Sequence, residues 1–273
     1  MDVKSLYKYT FNKIKFISDS PTLESELLLS HVLGVKREKL YLIMDRNVDD
    51  YLSKKVLNFV EKRTKGYPFF YIYGEKEFMG INFSIREGVL IPRPETEILV
   101  EESLKISNGR QMNVLDIGTG SGCIILSFLF YNKLSKGIGI DISGTAVEVA
   151  LSNARKLNLL DRVNFVNIDL LNYYPLKAFD LILSNPPYVK SEKVLNIKYE
   201  PRKALDGGED GFEFYPYLFR KVFSMLADGG FVIVEIDDEM GERSIKIMKS
   251  VGFKKTRIIK DLYNLDRFVS GVK

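Results

Sequence analysis

The chain has 273 residues, of which 45% are hydrophobic, 12% aromatic and 28% charged. This composition is typical of a folded globular protein and excludes a collagen-like repeat or a wholly disordered chain, and the length allows two domains. The 40 Lys and Arg residues against 36 Asp and Glu residues give a formal net charge of +4, which permits an anionic partner without requiring one.

The low numbers of cysteine and histidine limit the kinds of functional site that this chain can form. A single cysteine excludes an internal disulfide, and a single histidine removes most zinc sites and the usual Ser-His and Cys-His catalytic designs, so we expect no metal. The longest apolar stretch, 123–130, is far too short to span a membrane, and the charged residues that follow Met1 are unlike a secretory leader. We expect a cytoplasmic protein without a membrane partner, acting through carboxylates, amides, aromatic rings and backbone groups.

The first 74 residues have the apolar spacing of helices. Apolar side chains recur at three- and four-residue steps from Val3 to Ile14, which places them on one helix face. Ser20 and Pro21 predict the start of a second helix, which ends near Gly34. The predicted apolar stripe of this second helix consists of Leu23, Leu27, Leu28 and Val32. Residues 1–74 are therefore predicted to form a small helical bundle.

Between residues 75 and 92 the apolar period changes from helical to alternating. Apolar residues alternate with polar ones around two glycines, at Phe78, Ile81, Phe83 and Ile85. Such alternation is typical of paired strands joined by a tight turn. We predict a β-hairpin linker over 75–92, which leads into a second domain over 93–273.

The second domain alternates short apolar strands with helices. The predicted strands are Asn113–Ile117, Gly137–Asp141, Val163–Ile168, Leu181–Ser184, Phe231–Ile236, Lys254–Lys260 and Arg267–Val272. Helices between strands require parallel pairing with right-handed crossovers, whereas the last two strands, joined by a turn at Asn264, form an antiparallel hairpin. The sequence therefore predicts an α/β fold with a mostly parallel seven-stranded sheet.

A glycine loop follows the first of these strands, with Gly118, Thr119, Gly120, Ser121 and Gly122 after Asp116. Its glycines let the backbone approach a ligand, although a tight βα turn without any ligand has the same composition. A dinucleotide fingerprint needs a third glycine or alanine where this chain has Cys123. Asp116 would repel a pyrophosphate but suits the cationic side of S-adenosylmethionine. The D-x-G-x-G-x-G pattern resembles the motif of class I methyltransferases.

Acidic residues end the next two strands. Asp141 is placed to accept hydrogen bonds from both ribose hydroxyls of such a cofactor, although it also suits the start of the following helix. Asp169 is placed to meet the adenine amino group, with Leu170 against the ring; a solvated loop aspartate is the alternative.

The segment Asn185-Pro186-Pro187-Tyr188 follows the fourth strand. An amide or aromatic amine nitrogen is a poor nucleophile, so the transfer of a methyl group to it depends more on positioning than on deprotonation. The Asn185 side-chain oxygen and the Pro186 carbonyl can accept both N–H bonds of a planar –NH₂ group, while the prolines stiffen the loop. The Tyr188 ring can stack on the flat amide. We therefore predict that Asn185, Pro186 and Tyr188 are catalytic.

These motifs together resemble the protein-(glutamine-N5) methyltransferases of class I peptide-chain release factors, the PrmC or HemK family. The resemblance extends over nearly the whole chain. Its most specific parts are the segment Ile91-Pro92-Arg93-Pro94-Glu95-Thr96-Glu97 and Asn185–Tyr188. Further matching pairs are Glu200-Pro201, Gly207-Gly208 and Asp210-Gly211.

The resemblance implies a substrate and a set of roles. The substrate is the glutamine of the Gly-Gly-Gln loop in class I release factors. Apart from the resemblance, we expect a monomer. Asn185 contacts both S-adenosylmethionine and substrate, and Pro186, Pro187 and Tyr188 hold the glutamine amide. Arg93 and Glu95 either line the substrate channel or pair at the domain junction. Relatives often have an aromatic residue where this chain has Leu170.

Two other functions use the same residues. Asn-Pro-Pro-Tyr serves any planar –NH₂ nucleophile, so adenine-N6 methylation of DNA or RNA is the first alternative. A DNA enzyme needs a target-recognition domain and a strongly basic cleft, and the first 74 residues carry both charge signs, so we expect no stable nucleic-acid partner. The second alternative is a non-catalytic module that binds release factors or the ribosome.

Overall fold

The computed structural model describes residues 1–273. Contacts within the chain divide it into two compact units, Met1–Glu75 and Lys76–Lys273. The division falls within the predicted hairpin, so residues from Lys76 onward group with the second unit. The role of 75–92 as a linker stays a prediction.

The first unit is helical, as predicted. Its helices are α1 (Val3–Ile14), α2 (Pro21–Leu33), α3 (Arg37–Leu40), α4 (Asp50–Thr64) and α5 (Phe69–Tyr73). Asp2 caps α1 by accepting from the Ser5 N–H at 2.7 Å, and Gly34 ends α2 with a φ of 66°. The unit has its own core, made largely of buried aliphatic side chains: Val3, Leu6, Leu28, Leu29, Val32, Leu40, Val56 and Val60.

The apolar face of α2 differs from the predicted stripe. Leu28 and Val32 are buried, but Leu23 is 40% exposed, and Leu29, which was not predicted, is fully buried. Leucines occupy most sides of this helix, so their spacing alone does not select one face.

The second unit begins with a hairpin and continues as an α/β sheet. Strands β1 (Glu75–Phe78) and β2 (Ile81–Ser84) pair in a separate two-stranded sheet. The remaining elements are α6 (Glu97–Ser107), β3 (Asn113–Ile117), α7 (Cys123–Tyr131), β4 (Lys136–Asp141), α8 (Gly144–Lys156), β5 (Val163–Asn167), β6 (Phe179–Ser184), α9 (Ser191–Val194), α10 (Tyr215–Met225), β7 (Leu226–Glu235), α11 (Gly241–Val251), β8 (Lys254–Lys260) and β9 (Asp266–Val272).

The large sheet confirms the predicted architecture. Its seven strands follow the order β5-β4-β3-β6-β7-β9-β8. Strands β3 to β7 pair in parallel, and β9 pairs antiparallel with both β7 and β8. The order reverses at β3, since β4 lies on one side of it and β6 on the other. At such a reversal the loops after adjacent strands diverge and leave a crevice at the carboxyl edge.

Helices cover the sheet because its central strands are apolar on both faces. Val114, Leu115, Leu181 and Ile182 are all fully buried. The main core cluster joins these strands to α10 and α11 through side chains such as Tyr215, Phe219 and Met248. No helix in the chain combines the length and apolarity that crossing a membrane requires.

Candidate functional site

The main cavity of the second unit lies at the carboxyl edge of the sheet, where the strand order reverses. Its volume is about 270 Å³. The loops that follow β3, β4, β5 and β6 line it, together with residues between Gly88 and Thr96. This crevice is where open α/β sheets bind their ligands, so it is the candidate site.

The glycine loop between β3 and α7 forms one wall of this cavity. Gly118, Thr119, Gly120 and Ser121 all line it. Gly118 and Gly120 have φ angles of 72° and 56°, which side chains disfavour. The N–H groups of Gly118 and Thr119 donate to the Ile140 carbonyl at 2.9 and 3.0 Å, and these bonds hold the loop against β4.

Two residues of the predicted cofactor motif lie behind the wall. Asp116 is fully buried in β3, and its Oδ2 accepts a hydrogen bond from the Thr119 hydroxyl at 2.6 Å. Gly122 begins α7, where a Cβ would lie 2.9 Å from Leu126. Asp116 itself does not line the cavity, because the glycine loop covers it, and its role toward a cofactor stays a prediction.

The groups beneath the glycine loop have unused hydrogen-bonding capacity. Oδ1 of Asp116 and the hydroxyl of Ser121 are buried without a hydrogen-bond partner. Burial raises the pKa of Asp116 to about 7, and the negative charge of Asp141 adds to the effect. A cation near the loop would stabilise the ionised carboxylate, and S-adenosylmethionine carries both a sulfonium and an amine. The residues present therefore fit that cofactor.

Asp141 ends β4 with its carboxylate in the cavity wall. Its Oδ2 accepts from the Gly120 N–H at 2.9 Å, and its Oδ1 accepts from the Ser143 N–H at 2.8 Å. Burial raises the pKa of Asp141, and these two hydrogen bonds partly oppose the rise. Ser143, not Asp141, caps α8, because its hydroxyl accepts from the Ala146 N–H at 3.3 Å. Each carboxylate oxygen keeps a lone pair for a ligand hydroxyl.

The next part of the wall follows β5. Asp169 and Leu170 both line the cavity, and Asp169 Oδ1 accepts from the Leu171 N–H at 2.9 Å to cap a short 3₁₀ turn. Leu170 is buried at 5% exposure. An aromatic side chain that the sequence did not single out, Phe214, lines the same cavity. The apolar wall therefore does not depend on Leu170 alone.

The segment after β6 reaches the same cavity. Asn185, Pro186 and Pro187 line it, and the Ser184 hydroxyl fixes the strand end by donating to the Ile117 carbonyl at 2.9 Å. Asn185 Nδ2 donates to the Thr96 hydroxyl at 3.3 Å. The glycine loop and this segment, which follow the neighbouring strands β3 and β6, thus line one cavity.

Tyr188 stands apart from the other three residues of its motif. It lines a smaller adjoining cavity of about 30 Å³, shared with Leu90, Arg93 and Asn185, and not the main cavity. Its hydroxyl donates to Glu235 Oε1 at 3.1 Å. Burial, followed by the charge of Glu235, raises the pKa of Tyr188, so the phenol stays protonated at neutral pH.

A second loop, 205–211, supports the backbone of 188–191. The Val189 N–H donates to the Leu205 carbonyl at 2.8 Å, and the Gly207 N–H donates back to the Val189 carbonyl at 2.9 Å. A Cβ on Gly207 would lie 2.8 Å from the Tyr188 Cα, so only glycine permits this approach.

The two residues predicted to line a substrate channel, Arg93 and Glu95, differ in their position relative to the cavities. Arg93 lines both cavities and forms an ion pair with Glu200 at 2.5 Å. Glu200 also accepts from the Ile91 N–H at 3.2 Å, which joins the 91–93 segment to the loop before residue 201. Glu95 is exposed and lines neither cavity.

Two buried polar residues near the cavity were not predicted as site residues. Thr96 is 3% exposed and Glu235 is 1% exposed, and the Thr96 hydroxyl donates to Glu235 Oε2 at 2.7 Å. Burial raises the pKa of Glu235 to about 7, against the opposing effect of hydrogen bonds from Thr96 and Tyr188. An acid at the carboxyl end of a buried strand was the available signal, since the same reasoning found Asp141.

Sheet order, glycine loop and cavity together define a class I, S-adenosylmethionine-dependent methyltransferase. A family model described as a methyltransferase domain matches residues 108–265. Among solved structures, a methyltransferase from Pyrococcus furiosus aligns with a TM-score of 0.53 at 19% identity, covering 82% of this chain and 99% of that one. The T. Thermophilus 16S rRNA N2 G1207 methyltransferase, solved with AdoMet and guanosine, aligns with a TM-score of 0.54 at 14% identity, covering 73% and 49%. These likenesses show the fold alone.

Closer relatives define the particular family. A family model described as the PrmC N-terminal domain matches residues 6–74. The release factor glutamine methyltransferase of Clostridium acetobutylicum is 36% identical, covering 100% of this chain and 99% of the relative. That of Caulobacter vibrioides is 34% identical, covering 93% and 90%. The chain belongs to the family of release factor glutamine methyltransferases.

Proposed function

We propose that this chain transfers the methyl group of S-adenosylmethionine to the side-chain amide nitrogen, N5, of the glutamine in the Gly-Gly-Gln loop of class I peptide-chain release factors. The observation that carries the proposal is that two loops meet in one cavity. The glycine loop and the 185–188 segment lie close together, since a Cβ on Gly118 would be 3.8 Å from the backbone carbonyl oxygen of Asn185. Family membership over the full length supports the same substrate.

The cofactor would be held by the three loops that follow β3, β4 and β5. We assign the amino-acid end to the 118–122 loop, where the Ser121 hydroxyl has no hydrogen-bond partner in the chain and can donate to a carboxylate. Asp141 would accept from the ribose hydroxyls. Asp169 would accept from the adenine amino group, with Leu170 and Phe214 packed against the ring.

The catalytic work of the chain is positioning. When bound, the cofactor would supply an electrophilic methyl group, bonded to a sulfonium sulfur that is a good leaving group. Asn185 Oδ1 and the Pro186 carbonyl accept the two N–H bonds of the glutamine amide and orient its nitrogen. Both acceptors stabilise the positive charge that develops on that nitrogen, so no base is needed before transfer; afterwards the methylated nitrogen loses one of its protons to water and is neutral again. Pro186 and Pro187 keep the acceptors in place.

The remaining predicted roles concern the substrate chain. Tyr188 lines the adjoining cavity next to Asn185, and we assign its ring to the glutamine side chain. Arg93, which lines both cavities, would contact the backbone of the substrate loop. Glu95, exposed and outside both cavities, would act at their rim.

The two units would have different functions. We assign 1–74 to release-factor recognition, 75–92 to a linker and 93–273 to catalysis, in a monomer that acts in the cytoplasm. The separate cores of the units support the division. The release factor is then the protein partner.

The test is incubation of the purified chain with a bacterial class I release factor and labelled S-adenosylmethionine, followed by mass mapping. One added methyl group on the Gly-Gly-Gln glutamine is expected, and none on a release factor whose glutamine is replaced by alanine. Label in DNA or RNA but not in release factor would favour adenine methylation. Cofactor binding without transfer to any of the three would favour a non-catalytic module.

A further inference from the structure

Behind Asn185 lies a buried polar pair that the mechanism above does not use. Thr96 ends a short 3₁₀ turn and Glu235 ends β7, and both are almost fully buried. Burying a carboxyl group in a sheet is costly unless it is hydrogen-bonded, and here each carboxyl oxygen accepts one hydroxyl. Oε2 accepts from Thr96 at 2.7 Å, and Oε1 accepts from Tyr188 at 3.1 Å.

The direction of these hydrogen bonds follows from the number of protons available. When Glu235 is ionised it can only accept, so the Thr96 hydroxyl donates its one proton to Glu235 and toward Asn185 its oxygen can only accept. Asn185 must therefore present its –NH₂ group to Thr96, at 3.3 Å. The oxygen and the nitrogen of an asparagine amide are nearly equal in shape, so the two are told apart by their hydrogen-bond partners. Here the accepting Thr96 oxygen identifies the nitrogen.

The other end of the amide is thereby assigned. With Nδ2 on Thr96, Oδ1 of Asn185 has no hydrogen-bond donor from the chain, while Asn185 lines both cavities. A free carbonyl oxygen at this place is an acceptor for an incoming N–H group. If the amide were reversed, its –NH₂ group would oppose the substrate –NH₂ group, and both would be donors.

We propose that Thr96 and Glu235 are positioning residues that hold the Asn185 amide with its oxygen toward the cavity, where it accepts from the glutamine –NH₂ group. The inference rests on the function proposed above. Glu235 acts on both ends of the 185–188 segment, on Asn185 through Thr96 and on Tyr188 directly. Neither Thr96 nor Glu235 touches the reacting atoms, so their effect is on orientation.

The first experiment compares Thr96→Val, which keeps the shape and removes the hydroxyl, with Thr96→Ser, which keeps the hydroxyl. Transfer to release factor is measured at steady state in the full chain, with cofactor affinity by calorimetry. We expect Thr96→Val to lower kcat by about 10- to 100-fold, the scale of misplaced catalytic groups, with KM and cofactor affinity little changed. Thr96→Ser should keep most of the turnover. Normal kcat in Thr96→Val, or equal loss in both variants, would overturn the proposal.

A second measurement does not depend on the substrate. The side-chain –NH₂ signal of Asn185 is assigned by NMR from its disappearance in Asn185→Ala. We expect the signal to stay in place in Thr96→Ser and to shift, with faster exchange with water, in Thr96→Val and in Glu235→Gln. An unmoved signal would refute the orientation by Thr96 and Glu235.

The two measurements separate failure of the inference from failure of the function. If the wild-type chain methylates no release factor while the Asn185 signal behaves as expected, the proposed substrate is wrong and the positioning stands. If the wild-type chain methylates release factor but the Asn185 signal is the same in Thr96→Val as in wild type, the proposed function stands. The proposed positioning of Asn185 by Thr96 is then refuted.

Discussion

At the scale of single residues, Asn185 is the group on which the chemistry depends most. Its backbone carbonyl oxygen lies beside Gly118 of the glycine loop, and its side-chain –NH₂ group donates to Thr96. We expect Asn185→Ala to lower turnover by about 10²- to 10³-fold, the usual cost of losing one preorganised hydrogen-bonding group. Cofactor affinity, measured by calorimetry, should be roughly unchanged.

The matched control for this variant is Asn196→Ala. Asn196 is an exposed asparagine further along the same loop region, outside both cavities. It should leave turnover unaltered. Near-normal methyl transfer by Asn185→Ala would show that the amide is not a substrate acceptor.

Asp141 should matter for binding rather than for turnover. Its carboxylate faces the cavity while holding the Gly120 N–H. We expect Asp141→Ala to weaken cofactor affinity by about 10- to 100-fold, because hydrogen bonds to a charged group contribute roughly 1.5–3 kcal/mol. Calorimetric titration measures the change, with the exposed Asp161→Ala as control. Equal affinity in both variants would remove Asp141 from the ribose site.

The sequence singled out cavity-lining residues that follow strands, but not polar residues that meet across the fold. The glycine loop, Asp141 and Asn185 each lie next to a recognisable strand end. Thr96 and Glu235 are 139 positions apart, and nothing in either local pattern indicates their hydrogen bond. The burial of Asp116 was missed for a related reason, since the covering loop closes over it only in three dimensions.

At the scale of elements, strand positions were predictable and strand order was not. Apolar runs bounded by glycine or acidic residues placed six of the seven strands of the large sheet close to their observed bounds. The start of β7 was missed because Asp228, Gly229 and Gly230 resemble a turn, and the pairing with β6 is irregular there. Order depends on which strands meet across the sheet, and a single sequence does not contain that information.

The loop that supports the catalytic segment makes its own prediction. Gly211 and Gly229 have nearly equal φ angles, 75° and 77°, so alanine strains the backbone similarly at both. A Cβ on Gly211 would overlap the Tyr188 carbonyl oxygen, whereas one on Gly229 meets nothing within 4 Å. We expect Gly211→Ala to lose about 10-fold or more in turnover through displacement of the 185–188 segment.

Gly229→Ala is the control for that displacement. Gly229→Ala should lose roughly 1 kcal/mol of stability from backbone strain, and Gly211→Ala should lose more, because its Cβ also overlaps Tyr188. Assays of methyl transfer and thermal unfolding on the same samples separate the effects. Equal turnover in the two variants would show that the 205–211 loop does not position the catalytic segment.

At the scale of the whole molecule, the division into two units predicts separable functions. A chain that starts at Glu75 retains the sheet, the cavity and the main core. We expect it to bind S-adenosylmethionine, measured by calorimetry, and to lose transfer to release factor. Full transfer by the shortened chain would assign substrate recognition to the second unit instead.

Stability of the whole chain should depend on pH through two of its buried carboxyl groups. Burial raises the pKa of both Asp116 and Glu235 to about 7 in the folded chain. The folded chain therefore keeps protons that the unfolded chain releases near pH 4. The free energy of unfolding should fall as pH rises from about 4 to 7, by at most about 1.4 kcal/mol per pH unit for each group.

Urea unfolding without cofactor, followed by circular dichroism at pH 5.5 and 7.5, measures this dependence. Glu235→Gln cannot ionise and should show a smaller loss of stability between the two pH values. An identical loss in wild type and variant would mean that Glu235 titrates alike in both states.

The position of β9 has a consequence for synthesis. This strand is the last in the sequence, yet it is inserted between β7 and β8, with Phe268 and Val269 fully buried. A nascent chain therefore cannot close its sheet until residues as far as Val272 have left the ribosome. Until then β7 and β8 present unpaired edges, which are templates for aggregation. The sheet that carries the cavity would thus be complete only once the last of its strands has been synthesised.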